Sequence, residues 1–87
     1  MVEAHLLASH RGCPASIADE IVRRVVDRDW SPPVPVGKAI GRVATSLIRH
    51  RLTDYDRLFE VEGLTRDEAR MIVATEVEAI LLSWKEG

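Results

Sequence analysis

Few residues in this 87-residue chain could carry nucleophilic, acid–base or metal chemistry. His5, His10 and His50 are the only histidines, and Cys13 is the only cysteine. His5, His10 and Cys13 with His50 as a fourth ligand are a conceivable transition-metal set. Their spacing matches no zinc finger, however, and no C-x-x-C or H-E-x-x-H pattern is present. No metal is therefore expected. Cys13 lies just ahead of an expected helix start, where the dipole favours a thiolate, but no base is fixed beside it in the sequence. Glu60/Glu62 and Glu76/Glu78 stand two residues apart, so on helices they point away from one another and make no acid–base pair. Gly37 and Gly41 lack the Gly-Lys that completes a phosphate loop. Nucleophilic serine signatures are absent too. No catalytic residue and no cofactor are expected, and the chain does not read as an enzyme.

Charge carries more information. The net charge of −2 predicts no general attraction to nucleic acid or membrane, but its distribution is uneven. Met1–Pro35 balances at −1, Val36–Thr53 at +4 with no acid, and Asp54–Gly87 at −5. Within the basic segment, Lys38, Arg42, Thr45 and Arg49 fall on one stripe of a helix. His50 and Arg51 extend the positive region. Lys38, Arg42, Arg49, His50 and Arg51 thus form a candidate binding face for phosphates or for an acidic protein segment. The competing expectation is that this face pairs with Glu68, Glu76 and Glu78 of the acidic final helix. No aromatic residue interleaves the stripe, so stacking on single strands is not expected.

The densest polar run, Arg49 to Asp56, spans a bend between helices. Thr53 reads there as an N-cap with Asp56 three residues on, and His50 and Tyr55 as half-buried with hydrogen bonds to the final helix. Thr53, Tyr55 and Asp56 are the expected structural polar corner. A ligand or partner site at the same place is the alternative.

Helices must position these residues. Val2–His10 gives a short lead of about two turns, closed by the turn Arg11-Gly12-Cys13-Pro14; together residues 1–12 form an N-terminal helix and turn. A helix beginning at Ser16, capped by its hydroxyl toward Asp19, carries Ile17, Ile21, Val22, Val25 and Val26. Three prolines in residues 31–36 make an extended connector. A third helix runs from about Gly37 to Leu52, with Ile40, Val43, Ala44, Leu47 and Ile48 inward. A short helix follows and ends at Gly63. Thr65-x-x-Glu68 is a capping box, and it opens a long helix to about Lys85 with Ile72, Val73, Val77, Ile80, Leu81 and Trp84 inward. These patterns predict an all-α single domain over residues 1–87, of four to five helices, with the long C-terminal helix as its packing centre.

Composition agrees: 46% hydrophobic and 30% charged residues describe a globular chain that forms one core. No apolar run reaches the roughly 18 residues of a membrane helix. The lone cysteine and the absence of a signal-peptide layout favour the cytoplasm.

The stretch Ile48-Arg49-His50-x-x-Thr53-x-Tyr55-Asp56-x-Leu58, followed by Arg66-x-Glu68-Ala69-Arg70-x-x-Val73 and then by Val77, Ile80-Leu81 and Trp84, resembles the motifs of a bacterial and fungal family. That family is the uncharacterised "domain of unknown function 2293". The likeness begins at Cys13-Pro14 and covers the chain to about Lys85. Leu47 stands where the family tends to carry His, and the connector is Pro-rich rather than Gly-rich. The resemblance implies a fold and a register but no activity.

Two functions are expected on these grounds. One is a small binding or adaptor module that uses the basic face on nucleic acid or an acidic partner. The other is an oligomerisation or protein-interaction domain, as a homodimer or on a larger protein, through surplus apolar residues Val2, Leu6 and Leu7.

Overall fold

The computed structural model describes residues 2–87. In chain order it contains α1 (Val2–Ser9), α2 (Ala15–Asp27), α3 (Val36–Arg51), α4 (Tyr55–Leu58) and α5 (Arg66–Glu86), with no strand among the described residues. The all-α expectation and the long final helix are both realised.

The helix starts show two different devices. At α5, Thr65 Oγ1 accepts from the Glu68 N–H at 3.1 Å while the Thr65 N–H donates to Glu68 Oε1 at 3.1 Å, the reciprocal box read from the sequence. At α2 and α3 no side chain caps the helix. Pro14 and Pro35 occupy the cap positions, with φ near −57° and extended ψ. Their carbonyls accept the first helical bonds, from Ala18 at 2.8 Å and Ala39 at 3.0 Å. Ser16 is therefore inside the first turn of α2 and is not its cap. The ring fixes φ at a value that suits the approach, so proline replaces the hydroxyl there.

The centre of the molecule is α3, not α5. It packs against each of the other four helices. It buries Ala39, Ile40, Val43, Ala44, Leu47 and Ile48, a stripe wide enough to be shared among neighbours. On α5 the buried set is only Ala69, Val73, Val77 and Trp84. Ile80 and Leu81 are half-buried against the core, and Ile72, expected inward, is 59% exposed. Phe59, just after α4, is also exposed.

The N-terminal helix is structural. Leu6 is 1% exposed and joins the core with Ile21 and Ile40. Val2 packs on the same cluster, so of the three residues expected as an association surface only Leu7 stays open. The turn after α1 is tied to the far end of the chain. The Gly12 N–H donates to the Trp84 carbonyl at 2.7 Å. A Cβ on Gly12 would lie 3.0 Å from the Ser83 carbonyl oxygen and 3.1 Å from Trp84 Cα, so only glycine lets the backbones approach. Trp30 turns back over α2, where its Nε1 donates to the Val25 carbonyl at 3.0 Å.

The resulting shape is a plate with extents of 43 × 31 × 18 Å. Its thinnest dimension is less than two helix diameters of ~10–12 Å, so most elements keep one side in solvent.

Candidate functional site

The basic stripe of α3 lies on the side away from its apolar stripe. Lys38 and Arg42 are exposed, and Thr45 and Arg49 are half-buried. Among the described residues, no ion pair includes Lys38, Arg42 or Arg49. The expected pairing with Glu68, Glu76 and Glu78 is not made. The residues that α5 gives to the clefts along α3 are Arg66, Arg70, Leu81 and Lys85, with no acid among them. Glu68 is held by Thr65: the N–H first and the hydroxyl second keep its carboxyl below the ordinary carboxylate range, against a small opposing effect of burial.

Three clefts surround this stripe and share borders. The widest, about 560 Å³, lies where the end of α5 meets the start of α3 and has Lys38, Arg42, Arg49, Lys85 and His10 on its walls. A second, about 390 Å³, runs between α2 and α3 with Arg23, Arg24, Arg28 and Arg42. A third, about 270 Å³, sits at the end of α3 and the start of α5 with Arg49, His50, Arg66 and Arg70. Arg42 borders the first two and Arg49 the first and third. Among the described residues the one carboxylate on their walls is Asp27, in the second cleft. A chain of net charge −2 thus gathers cations from three helices onto neighbouring surfaces.

Two residues of the expected binding face leave it. Arg51 follows Ala44 by seven residues and Leu47 by four, which turns it toward the core side and over α2. There it grips Glu20 with both guanidinium ends: Nη1 to Oε2, and Nη2 to Oε1 at 2.6 Å. Arg24 joins the same carboxylate at 3.1 Å. Desolvation works to raise the Glu20 pKa, but the hydrogen bonds and charges of Arg51 and Arg24 outweigh it and hold the carboxyl low. Arg51 is a brace between helices and not part of the open face. His50 turns to the third cleft and bonds Asp56 Oδ1 through Nδ1 at 2.7 Å, so its partner is on α4 and not on the final helix.

The corner beneath His50 is built from backbone and rings. Thr53 Oγ1 donates to the Arg49 carbonyl at 2.5 Å and accepts from the Tyr55 N–H at 3.2 Å. It therefore ties off α3, while Asp54 takes the cap position of α4 without a side-chain bond. Tyr55 is buried, edge-on to His50 at 5.1 Å and to Phe59 at 4.8 Å, with the Arg49 guanidinium 5.5 Å from its ring. The helix α4 is a single turn, so Gly63, at φ +84°, ends the turns after it rather than the helix itself.

His5, His10 and Cys13 share the corner by the start of α3, and His50 lies apart from them. Among the described residues no group of three or more His, Cys, Asp and Glu could hold a metal ion. His10 is 6% exposed and lies near the start of α3, whereas His50 is at its end. Ser9 donates its hydroxyl proton to the His5 carbonyl at 2.8 Å, so His10 Nδ1, 2.7 Å from Ser9 Oγ, supplies the proton of their bond. Burial first, then the charges of Lys85 and His5, keeps the His10 pKa below 6.5. Burial raises the Cys13 thiol, which argues against a reactive thiolate.

Sequence reasoning missed Arg23, Arg28, Arg66, Arg70 and Lys85 as companions of the stripe, and Phe59 as an exposed ring. The i, i+4 spacing of Arg66 and Arg70, continued by Leu81 and Lys85, was the available signal for α5. Nothing local signalled the α2 residues. No helix among the described residues is long and apolar enough to cross a membrane. No curated protein and no solved structure matches the chain. The family model described as "Uncharacterized conserved protein (DUF2293)" matches residues 5–85, and the chain belongs to that family.

Proposed function

We propose that this domain is a non-catalytic binding module that takes the phosphate backbone of duplex nucleic acid on the basic side of α3. The observation that carries the reading is that, among the described residues, Lys38, Arg42 and Arg49 hold no ion pair while clefts on both sides add cations from α2 and α5. Paired cations gain little from a new anion; unpaired ones exchange small counterions for phosphates and gain entropy. The single cysteine suits a reducing compartment, and the proposal puts the module in the cytoplasm. A labelled random-sequence duplex titrated at low salt tests it. The wild type should bind and the Lys38→Ala/Arg42→Ala double variant should bind at least about tenfold more weakly. No binding by the wild type, or equal binding by the variant, overturns it.

A second reading is self-association, now through α5 rather than α1. Met71, Thr75, Ala79 and Leu82 form an exposed stripe, with Met71 at 76% and Leu82 at 56%. An antiparallel two-fold pairing would set Met71 against Leu82 of a second copy. Light scattering decides it: a monomer at high micromolar concentration removes this reading.

A further inference from the structure

We infer that the third cleft is a site for a free mononucleotide, which shares Arg49 with the polyanion face but not Lys38 or Arg42. Its size, about 270 Å³, falls just below the roughly 300–1,000 Å³ of drug-sized ligand pockets. That suits one nucleotide rather than a polymer. Its walls divide by chemistry. Arg66 and Arg70, one turn apart on α5, and Arg49 across from them on α3 converge on the opening, and no ion pair among the described residues engages any of the three. Guanidinium groups on two walls fit the oxygens of a phosphomonoester dianion, which they bind through charge-assisted, often bidentate bonds. His50 adds an oriented ring. With Nδ1 committed to Asp56 Oδ1, Nε2 is the atom left for a ligand. Asp56 itself does not line the cleft, so its carboxylate holds the ring without facing the phosphate.

The other wall is aromatic. Phe59 lines the cleft and is 46% exposed, so part of its ring is open to a ligand. Buried Tyr55 meets it in a T-shaped contact with centroids 4.8 Å apart, which restrains the ring. A planar base can stack there while its phosphate reaches the arginines. Three cations, an oriented imidazole and an exposed ring at one mouth describe a nucleotide better than inorganic phosphate, which has no use for the ring.

The test is calorimetric titration of the full chain with AMP, adenosine and inorganic phosphate. AMP should bind at least about tenfold more tightly than adenosine, because adenosine leaves the arginines without a partner. Arg66→Ala/Arg70→Ala should weaken AMP at least about tenfold. Phe59→Ala should weaken AMP about fivefold or more and leave inorganic phosphate unchanged. All three residues are exposed, so these variants keep the core, which circular dichroism verifies. Lys38→Ala/Arg42→Ala should bind AMP as the wild type does, which separates this site from the duplex face. The inference is overturned if AMP binds no better than adenosine, or if the double arginine variant matches the wild type. A 5′-phosphorylated tetranucleotide that binds more than about tenfold tighter than AMP would also overturn it, by showing that the site takes a strand end.

Discussion

The two long helices make an instructive pair. Both α3 and α5 carry an apolar repeat of 3.6 residues, yet α3 buries six residues in 16 and α5 four in 21. The difference is not in hydrophobicity alone. Small residues on α3, Ala39 and Ala44, are buried in a core that α3 shares with all four other helices. The longer helix α5 crosses one edge of the plate, with Met71, Ile72 and Leu82 in solvent. Periodicity identifies a helix face; the number of partners that face meets is set by the rest of the chain. The same contrast governs charge. The α3 cations stay open, and the residues that α5 gives to the clefts beside them include no acid.

The largest effect expected from this contrast is in stability. Ile48→Ala, at a position with no exposure on α3, should cost about 2–5 kcal/mol in denaturant unfolding. Ile72→Ala, the same chemistry on the open side of α5, should change stability by less than about 0.5 kcal/mol. Equal losses at the two positions would show that α5 is covered in solution and would break the comparison.

A smaller effect is expected at one end of α3. His10, near its start, is kept neutral by burial, and its folded pKa lies below the 6.5 of the unfolded chain. As pH falls below 6.5 the unfolded state takes the proton first, so the folded state loses stability toward the depressed value. Above 6.5 both states are neutral and the contribution is constant. His10→Asn, which can keep a donor toward Ser9, should remove this loss. The low carboxyls Glu20 and Glu68 act below their ordinary 4.5, in a separate window. The His10 loss is therefore read between 6.5 and 4.5. A wild type and a His10→Asn variant with identical melting curves across that range would contradict the account of His10.

Much of the fold was legible because its rules are local. The Thr65/Glu68 box, the inward residues of α3 and the proline connector were all readable from spacing and residue type. Three things were not. The centrality of α3 depends on contacts between residues far apart in sequence. The closure of Gly12 on Trp84 joins opposite ends of the chain. The burial of Leu6 needs α2 and α3 in place before its side chain has a pocket. In the candidate site, the Lys38, Arg42 and Arg49 stripe followed from helical spacing. The companions on α2 and α5, and the ring of Phe59 beside Arg66 and Arg70, are products of packing. Arg51 shows the limit within one helix: adjacent in sequence to His50, it faces α2 because its register follows Ala44 and Leu47.

That pair of arginines gives the most direct test of the central claim, that α3 presents unpaired cations to phosphates. Fluorescence anisotropy of a labelled duplex should be followed as a function of salt for the wild type, Arg42→Ala and Arg51→Ala. With Lys38, Arg42 and Arg49 each on a phosphate, the wild-type slope of log K against log salt should be about −3, and Arg42→Ala should reduce it by about one. Arg51→Ala should leave the slope as it is and lower only the melting temperature, because its partner is Glu20. A slope near zero for the wild type, or the same reduction from both variants, would contradict the account.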